Sequence, residues 1–303
     1  MCYIVCPYDS IRGVMAYLFI VSLIWAFSFG LIKGNLTGVD SNFVGFARLL
    51  ISFLIFLPFL KIKKINGRLA LKLLLTGMLQ FGIMYLTYLA AFRTLKAYEV
   101  ALFTIFTPIF VTLIDDAFAR KFNFLHLATA IITVAGTWVI KRGEIQSPGV
   151  MTGFLLVQIS NLCYAFGQVY YRKLMAKDNQ LKDRDVFGYM YLGAVVVTAL
   201  ATGILVPIST ITLTAKQIWT ILYLGAVASG ISFFLWNIGA RKVNAGTLAI
   251  FNDLKIPLAV TVSLLVFGEK TNIPSLLIGG TIILIALALN EYFSRKQRNV
   301  IQS

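Results

Sequence analysis

Residues 77–101 read GMLQFGIMYLTYLAAFRTLKAYEVA, and residues 225–249 read GAVASGISFFLWNIGARKVNAGTLA. At a constant offset of 148, Gly77 falls on Gly225, Gly82 on Gly230, Ile83 on Ile231, Arg93 on Arg241, Ala97 on Ala245 and Ala101 on Ala249. Both stretches open with about 20 mostly apolar residues, the length a helix needs to cross the hydrocarbon of a bilayer. Outward from them the correspondence continues. Gly13-Val14-Met15 answers Gly149-Val150-Met151, and Trp25-Ala26-Phe27 with Lys33 answers Tyr164-Ala165-Phe166 with Arg172. A slip of one residue brings Pro108 onto Pro257. Small residues recur by chance in so apolar a chain; it is the preserved order that marks a duplication.

Composition sets the solvent. Of 303 residues 59% are hydrophobic and only 13% charged, more apolar surface than a soluble core can hide and far more than a disordered chain carries. Cys2, Cys6 and Cys163 neither make a disulfide framework nor show CxxC spacing, and the lone His126 excludes a zinc or catalytic cluster that needs two. Hydropathy predicts ten spanning helices near 13–32, 43–60, 71–92, 97–114, 123–140, 149–170, 186–206, 217–239, 245–267 and 274–293. Arg12 before an apolar run resembles a signal sequence, but no small-residue cleavage site follows, so the first span is expected to stay.

The net charge of +15 is a topology signal rather than a nucleic-acid one. With the N-terminus inside, the clusters at 61–72, 172–184 and 295–298 all fall on the cytoplasmic side. Lys33, Arg93, Lys96, Lys141, Arg142, Lys216 and Lys270 face out, which places both termini in the cytoplasm. A repeat of five spans must insert its second copy upside down. The expected fold is all-α, ten transmembrane helices in two inverted repeats over 13–142 and 149–295. Inverted repeats build many secondary transporters, with the binding site near the midplane between them.

The sequence also resembles the EamA-type drug/metabolite transporters over residues 13–293. The resemblance lies in Ser22-Leu23-Ile24-Trp25-Ala26-Phe27-Ser28-Phe29 with Lys33, in Phe46-Ala47-Arg48-Leu49-Leu50, in Pro257 followed by Gly268-Glu269-Lys270, and in Gly279-Gly280-Thr281-Ile282-Ile283-Leu284. The first half departs from it, with Ala119-Arg120-Lys121 where a Gly-Glu pair is expected, and the seventh span has no arginine to match Arg48. The resemblance implies a multi-pass inner-membrane carrier of amino acids, amines, carboxylates, nucleotide-linked compounds or drugs, with the first, third, fourth, sixth, eighth and ninth spans around its cavity.

Ionisable groups deep in a spanning helix cost about 2.5–3.5 kcal/mol or more and so mark candidate pathways. Lys255 and Asp253 sit in mid-span two residues apart, facing different ways, whereas Asn252 shares a face with Lys255. Lys255 is the candidate for a substrate carboxylate or phosphate, Asp253 for a substrate amine. Asn161, Tyr164 and Gln168 form one helical stripe. With Trp25, Trp236 and Asn237 they complete the candidate substrate-binding set, Tyr85 and Tyr88 belonging to the wider polar and aromatic inventory. Arg48 either snorkels, makes a structural pair or couples ions, and Glu99 either carries a proton or serves its helix N-terminus. Pro108 and Pro257 are candidate hinges.

The competing reading is a membrane-embedded enzyme acting on a lipid-linked substrate. Neither Asn252-Asp253 nor Asp115-Asp116 has the further carboxylates that diphosphate chemistry requires, and HExxH, P-loop and GxSxG motifs are absent. No cofactor, metal or nucleic acid is called for. The expectation is a monomeric or dimeric alternating-access carrier of a small polar metabolite. The mixed Lys/Asp/Asn/Tyr lining suggests an amino acid or derivative, up to the size of S-adenosylmethionine.

Overall fold

The structure, a computed structural model, describes residues 8–62, 65–120, 148–176, 181–207, 209, 211–243, 245–270, 272–278 and 280–282, with isolated positions at 128, 132, 135, 285, 288, 289 and 292. The fifth span and His126 therefore lie outside the described residues, as does part of the tenth span. All regular structure among the described residues is helical. The helices are α1 (Tyr8–Asn35), α2 (Ser41–Phe56), α3 (Gly67–Gly77), α4 (Met84–Ala91), α5 (Ala97–Phe103), α6 (Thr107–Ala119), α7 (Pro148–Met175), α8 (Asp183–Leu205), α9 (Ala215–Tyr223), α10 (Ser232–Lys242) and α11 (Ala245–Leu265). Seven continuous helical stretches among them are long and apolar enough to cross a membrane, and shorter apolar helices occupy Leu254–Leu265 and Ile273–Ile282. This is a multi-pass membrane protein.

Two spans contain a π-helical segment. Between α3 and α4 the chain winds as π-helix over Met78–Ile83, and between α9 and α10 over Leu224–Ile231. The two segments end on repeat mates, Ile83 and Ile231, and each contains the repeated glycine, Gly82 or Gly230. A π turn displaces backbone carbonyls from their usual partners, and in lipid those oxygens need donors from the protein. Around the second segment the donors are side chains: Ser52 Oγ to Gly225 O (2.8 Å), Trp25 Nε1 to Ala228 O (2.9 Å), and the Tyr191 hydroxyl shared between Ser229 O (2.7 Å) and Gly230 O (2.9 Å).

The direction of the halves follows from packing. Along α1, Phe29 lies edge-on to Tyr88 and Lys33 Nζ donates to Phe92 O (2.6 Å), so α1 runs the same way as α4. Along α7 the order reverses: Gly149 and Gly153 abut Thr94 and Leu95, while Gly167 abuts Gln80. The first helices of the two halves are antiparallel, the expected inverted arrangement. Packing pairs also exchange between halves. Gly77 seats α3 against Met190 of α8, as Gly225 seats the other π segment against Arg48 and Ile51 of α2. Ser22 Oγ ties α1 to Phe251 O of α11 (2.8 Å), as Asn161 Nδ2 ties α7 to Phe103 O of α5 (2.8 Å).

The halves differ at one turn. Gly268 follows α11 with φ +66°, a left-handed conformation natural to glycine, and at the corresponding turn of the first half Arg120 caps α6 at φ 52°. An L-residue held there costs about 1–2 kcal/mol. Arg120→Gly is expected to stabilise the fold by about 0.5–1 kcal/mol after the added unfolded-state entropy of glycine, read as a raised melting temperature in detergent.

Candidate functional site

Midway along the helices lies a cavity, partly open to solvent, with about 550 Å³ of atom-free space when the solvent-open part is counted. Its lining comes from both halves: Trp25, Ser28 and Phe29 of α1, Arg48 of α2, Met84, Tyr85 and Tyr88 of α4, Thr104 and Thr107, Ser160, Asn161 and Tyr164 of α7, Phe233 of α10 and Lys255 of α11. Repeat mates face one another across it, Trp25 with Tyr164 (ring centroids 6.5 Å apart, perpendicular) and Tyr85 with Phe233 (6.0 Å, perpendicular). Trp25 also lies 5.0 Å from Phe233, so the wall is a continuous aromatic box.

Arg48 is 2% exposed and sits over the Tyr85 ring, its Cζ 4.7 Å from the centroid. The directions of its hydrogen bonds can be worked out atom by atom. Ser229 Oγ spends its only proton on Leu224 O (2.8 Å), so it accepts from Arg48 Nε (3.2 Å) and from the Tyr85 hydroxyl (2.6 Å). Tyr85 in turn accepts from Arg48 Nη2 (2.9 Å). Ser229 belongs to the π segment of the second half, so the guanidinium of α2 is clamped by an element of the opposite repeat. Among the described residues Nη1 has no partner and no carboxylate pairs with Arg48. Snorkelling is excluded by this geometry: the head is buried, not at an interface.

Lys255 is 6% exposed; its Nζ donates to Asn252 Oδ1 (3.0 Å) and lies 5.4 Å from the centre of the Trp25 ring. Asn252 thus holds the lysine head, as sharing a helix face predicts. The Asp253 side chain lies outside the described residues. Among the described lining residues there are two cations and no carboxylate.

The remaining candidates divide. Tyr164 lines the cavity with a buried hydroxyl that has no partner. Asn161 also lines it, but its amide is engaged with Phe103 O and Gln158 Oε1 (3.2 Å), and Thr107 lies 3.1 Å from its oxygen. Those bonds stabilise the bend where a 3-10 turn, Thr104–Phe106, precedes Pro108. Thr107 Oγ1 donates to Thr104 O (2.7 Å), the carbonyl that proline cannot serve. The one-residue slip of the repeat falls at this turn. Pro257 lies within α11. Gln168, Trp236 and Asn237 are buried outside the lining: Trp236 Nε1 donates to Gln168 Oε1 (3.1 Å), and Gln80 Nε2 donates to Asn237 Oδ1 (3.2 Å).

Glu99 also lies outside the lining. Its carboxylate accepts from Lys96 N (2.9 Å) and the Tyr98 hydroxyl (3.2 Å), the glutamate half of a capping box at the start of α5. Glu269 completes that cap from the other half, accepting from Ala97 N (2.8 Å) and Tyr98 N (3.0 Å). Ser28, Phe29, Met84, Thr104, Thr107, Ser160 and Phe233 were not singled out by the sequence. Only Phe233 had a usable signal, as the repeat mate of Tyr85.

The EamA-like transporter family model matches residues 12–142 and 151–291. The chain is 37% identical over 286 residues to a probable biotin transporter of Pseudomonas aeruginosa, covering 94% of this chain and all of that one. It is 37% identical to a biotin transporter of Salmonella typhimurium over 90% of this chain and 91% of the relative, and 35% identical over the same shares to that of Escherichia coli K12. A solved structure, described as a crystal structure of a protein, superposes with a TM-score of 0.67 at 16% identity over 94% of this chain and 99% of that one, a likeness of fold alone.

Proposed function

This chain belongs to the EamA-like transporter family, and from that premise we propose that it carries biotin across the inner membrane by alternating access. That it is a small-molecule transporter rests on the family match and on full-length relatives named transporters. The substrate reading rests on one observation, a central aromatic cavity whose described lining offers two buried cations and no carboxylate. Such a wall suits a solute with one negative end and an apolar body. Biotin, the solute for which the relatives are named, is a monocarboxylate on an alkyl chain and a thioether ring. The amino acid expected from sequence was to place its ammonium on Asp253, whose side chain lies outside the described residues; the solute named for the relatives moves the reading to a monoanion.

In this mechanism the repeats at 13–142 and 149–295 rock against each other around the cavity, bending at Pro108 and Pro257. Trp25, Tyr85, Tyr164 and Phe233 pack on the solute body, and Lys255 with Arg48 offsets its charge. The experiment is uptake of radiolabelled biotin by proteoliposomes of the purified chain. Saturable uptake competed by unlabelled biotin, and not by glycine, glutamate or S-adenosylmethionine, is expected. Competition by the amino acids instead would restore the zwitterion and remove biotin.

A further inference from the structure

Two residues that line one cavity, Arg48 and Tyr164, each carry a buried polar atom with no partner among the described residues, Nη1 and the phenol hydroxyl. Every other polar atom of the arginine head that has a bond has it through Tyr85 or Ser229, which fix the guanidinium plane. An arginine held on two of its nitrogens, with the third unsatisfied and no acid paired to it, is a fork waiting for an anion. In a membrane interior that charge is costly unless something completes it. Tyr164 and Tyr85 both pack on Phe233: the Tyr164 and Phe233 centroids are 5.7 Å apart, and Phe233 stands 6.0 Å from Tyr85, whose hydroxyl touches the arginine.

We infer that Arg48 Nη1 is the contact for the solute's carboxylate and that Tyr164 hydrogen-bonds the polar group at the solute's far end, the apolar body lying along Phe233. This rests on the carrier reading above and deepens it, by giving the solute a direction in the site. It has a mechanistic corollary. Because Ser229 of the second-half π segment holds the same guanidinium that meets the carboxylate, a bound solute is tied to both repeats at once through one side chain.

The test is competition against labelled biotin in proteoliposomes, paired with ligand-induced thermal stabilisation of the purified chain. The competitors are biotin and its neutral primary amide, which differ in charge at one end only. The wild-type chain is expected to prefer biotin over the amide at least tenfold. In Arg48→Gln, half-inhibition by biotin should rise ten- to a hundredfold while that by the amide stays within about twofold, so the preference falls by that factor. Arg48→Lys should fall between them. Tyr164→Phe should weaken biotin and amide equally, leaving the preference intact.

Arg48→Gln retaining the wild-type preference would overturn the assignment, and so would Tyr164→Phe changing neither competitor. Should Arg48→Gln fail to fold, Arg48→Lys and Tyr164→Phe decide by the same ratios. If wild-type chain ignores biotin yet is stabilised by another monocarboxylate, such as lipoate or octanoate, the biotin reading fails and the Arg48 assignment is decided with that acid and its amide. If no monocarboxylate stabilises the wild-type chain, both readings fall.

Discussion

Replacing Lys255 with methionine should raise the half-saturating concentration of biotin about thirtyfold. The ammonium lines the cavity, 5.4 Å from the Trp25 ring centre, with Asn252 holding it from one side. A carboxylate on Arg48 within roughly 8 Å of it gains about 2 kcal/mol at an effective dielectric of about 20, which is about thirtyfold in affinity. Methionine keeps the length and apolar stem of the lysine while removing its charge. Two controls separate this effect from damage. The neutral amide of biotin should lose almost nothing, and the deficit should persist at high salt, because a buried pair is poorly screened. Lys255→Met with a half-saturating concentration within threefold of wild type would remove Lys255 from the site.

How far the sequence could be read depended on the distance over which each residue's environment is set. The repeat was legible because a helix fixes its own phase: Gly82 and Gly230 mark the same depth in their spans and prove to mark the two π segments. Glu99 was legible as a helix-terminal carboxylate for the same local reason. Arg48 was not. Its position in the second span suggested a snorkelling head, and what buries it is Ser229, 181 residues away. Gln168, Trp236 and Asn237 looked like cavity residues because buried amides and indoles need partners; they find them outside the cavity, in one another and in Gln80. Gly268-Glu269-Lys270 could be matched as a pattern, but its physical task, capping α5 of the opposite half, is visible only once the halves are docked.

The same limit gives the second prediction. By sequence the four repeated glycines are equivalent pairs; by packing they are not, and alanine should rank them. A Cβ on Gly77 would lie 1.9 Å from the carbonyl oxygen of Met190, and one on Gly193 would lie 2.0 Å from that of Leu74. These are two sides of one crossing of α3 and α8, each glycine making room for the other helix's backbone, which cannot rotate away as a side chain can. Gly77→Ala or Gly193→Ala must therefore push the helices apart, at a cost of about 2–4 kcal/mol, at or above the usual range for overpacking. At Gly225 the nearest atoms are the Ile51 side chain at 2.9 Å and Arg48 O at 3.1 Å, a smaller and partly flexible obstruction. At Gly82 and Gly230 nothing comes nearer than 3.2 Å, and there the better helix propensity of alanine, about 1 kcal/mol, should roughly cancel the crowding. Melting temperatures in detergent should fall in the order Gly82 and Gly230 variants highest, Gly225 lower, Gly77 and Gly193 lowest. The double variant Gly77→Ala with Gly193→Ala should lose clearly less than the sum of its parts, because helices parted by the first methyl already have room for the second. Equal losses at all five positions, or strict additivity at the crossing, would mean that α3 and α8 do not meet backbone to backbone.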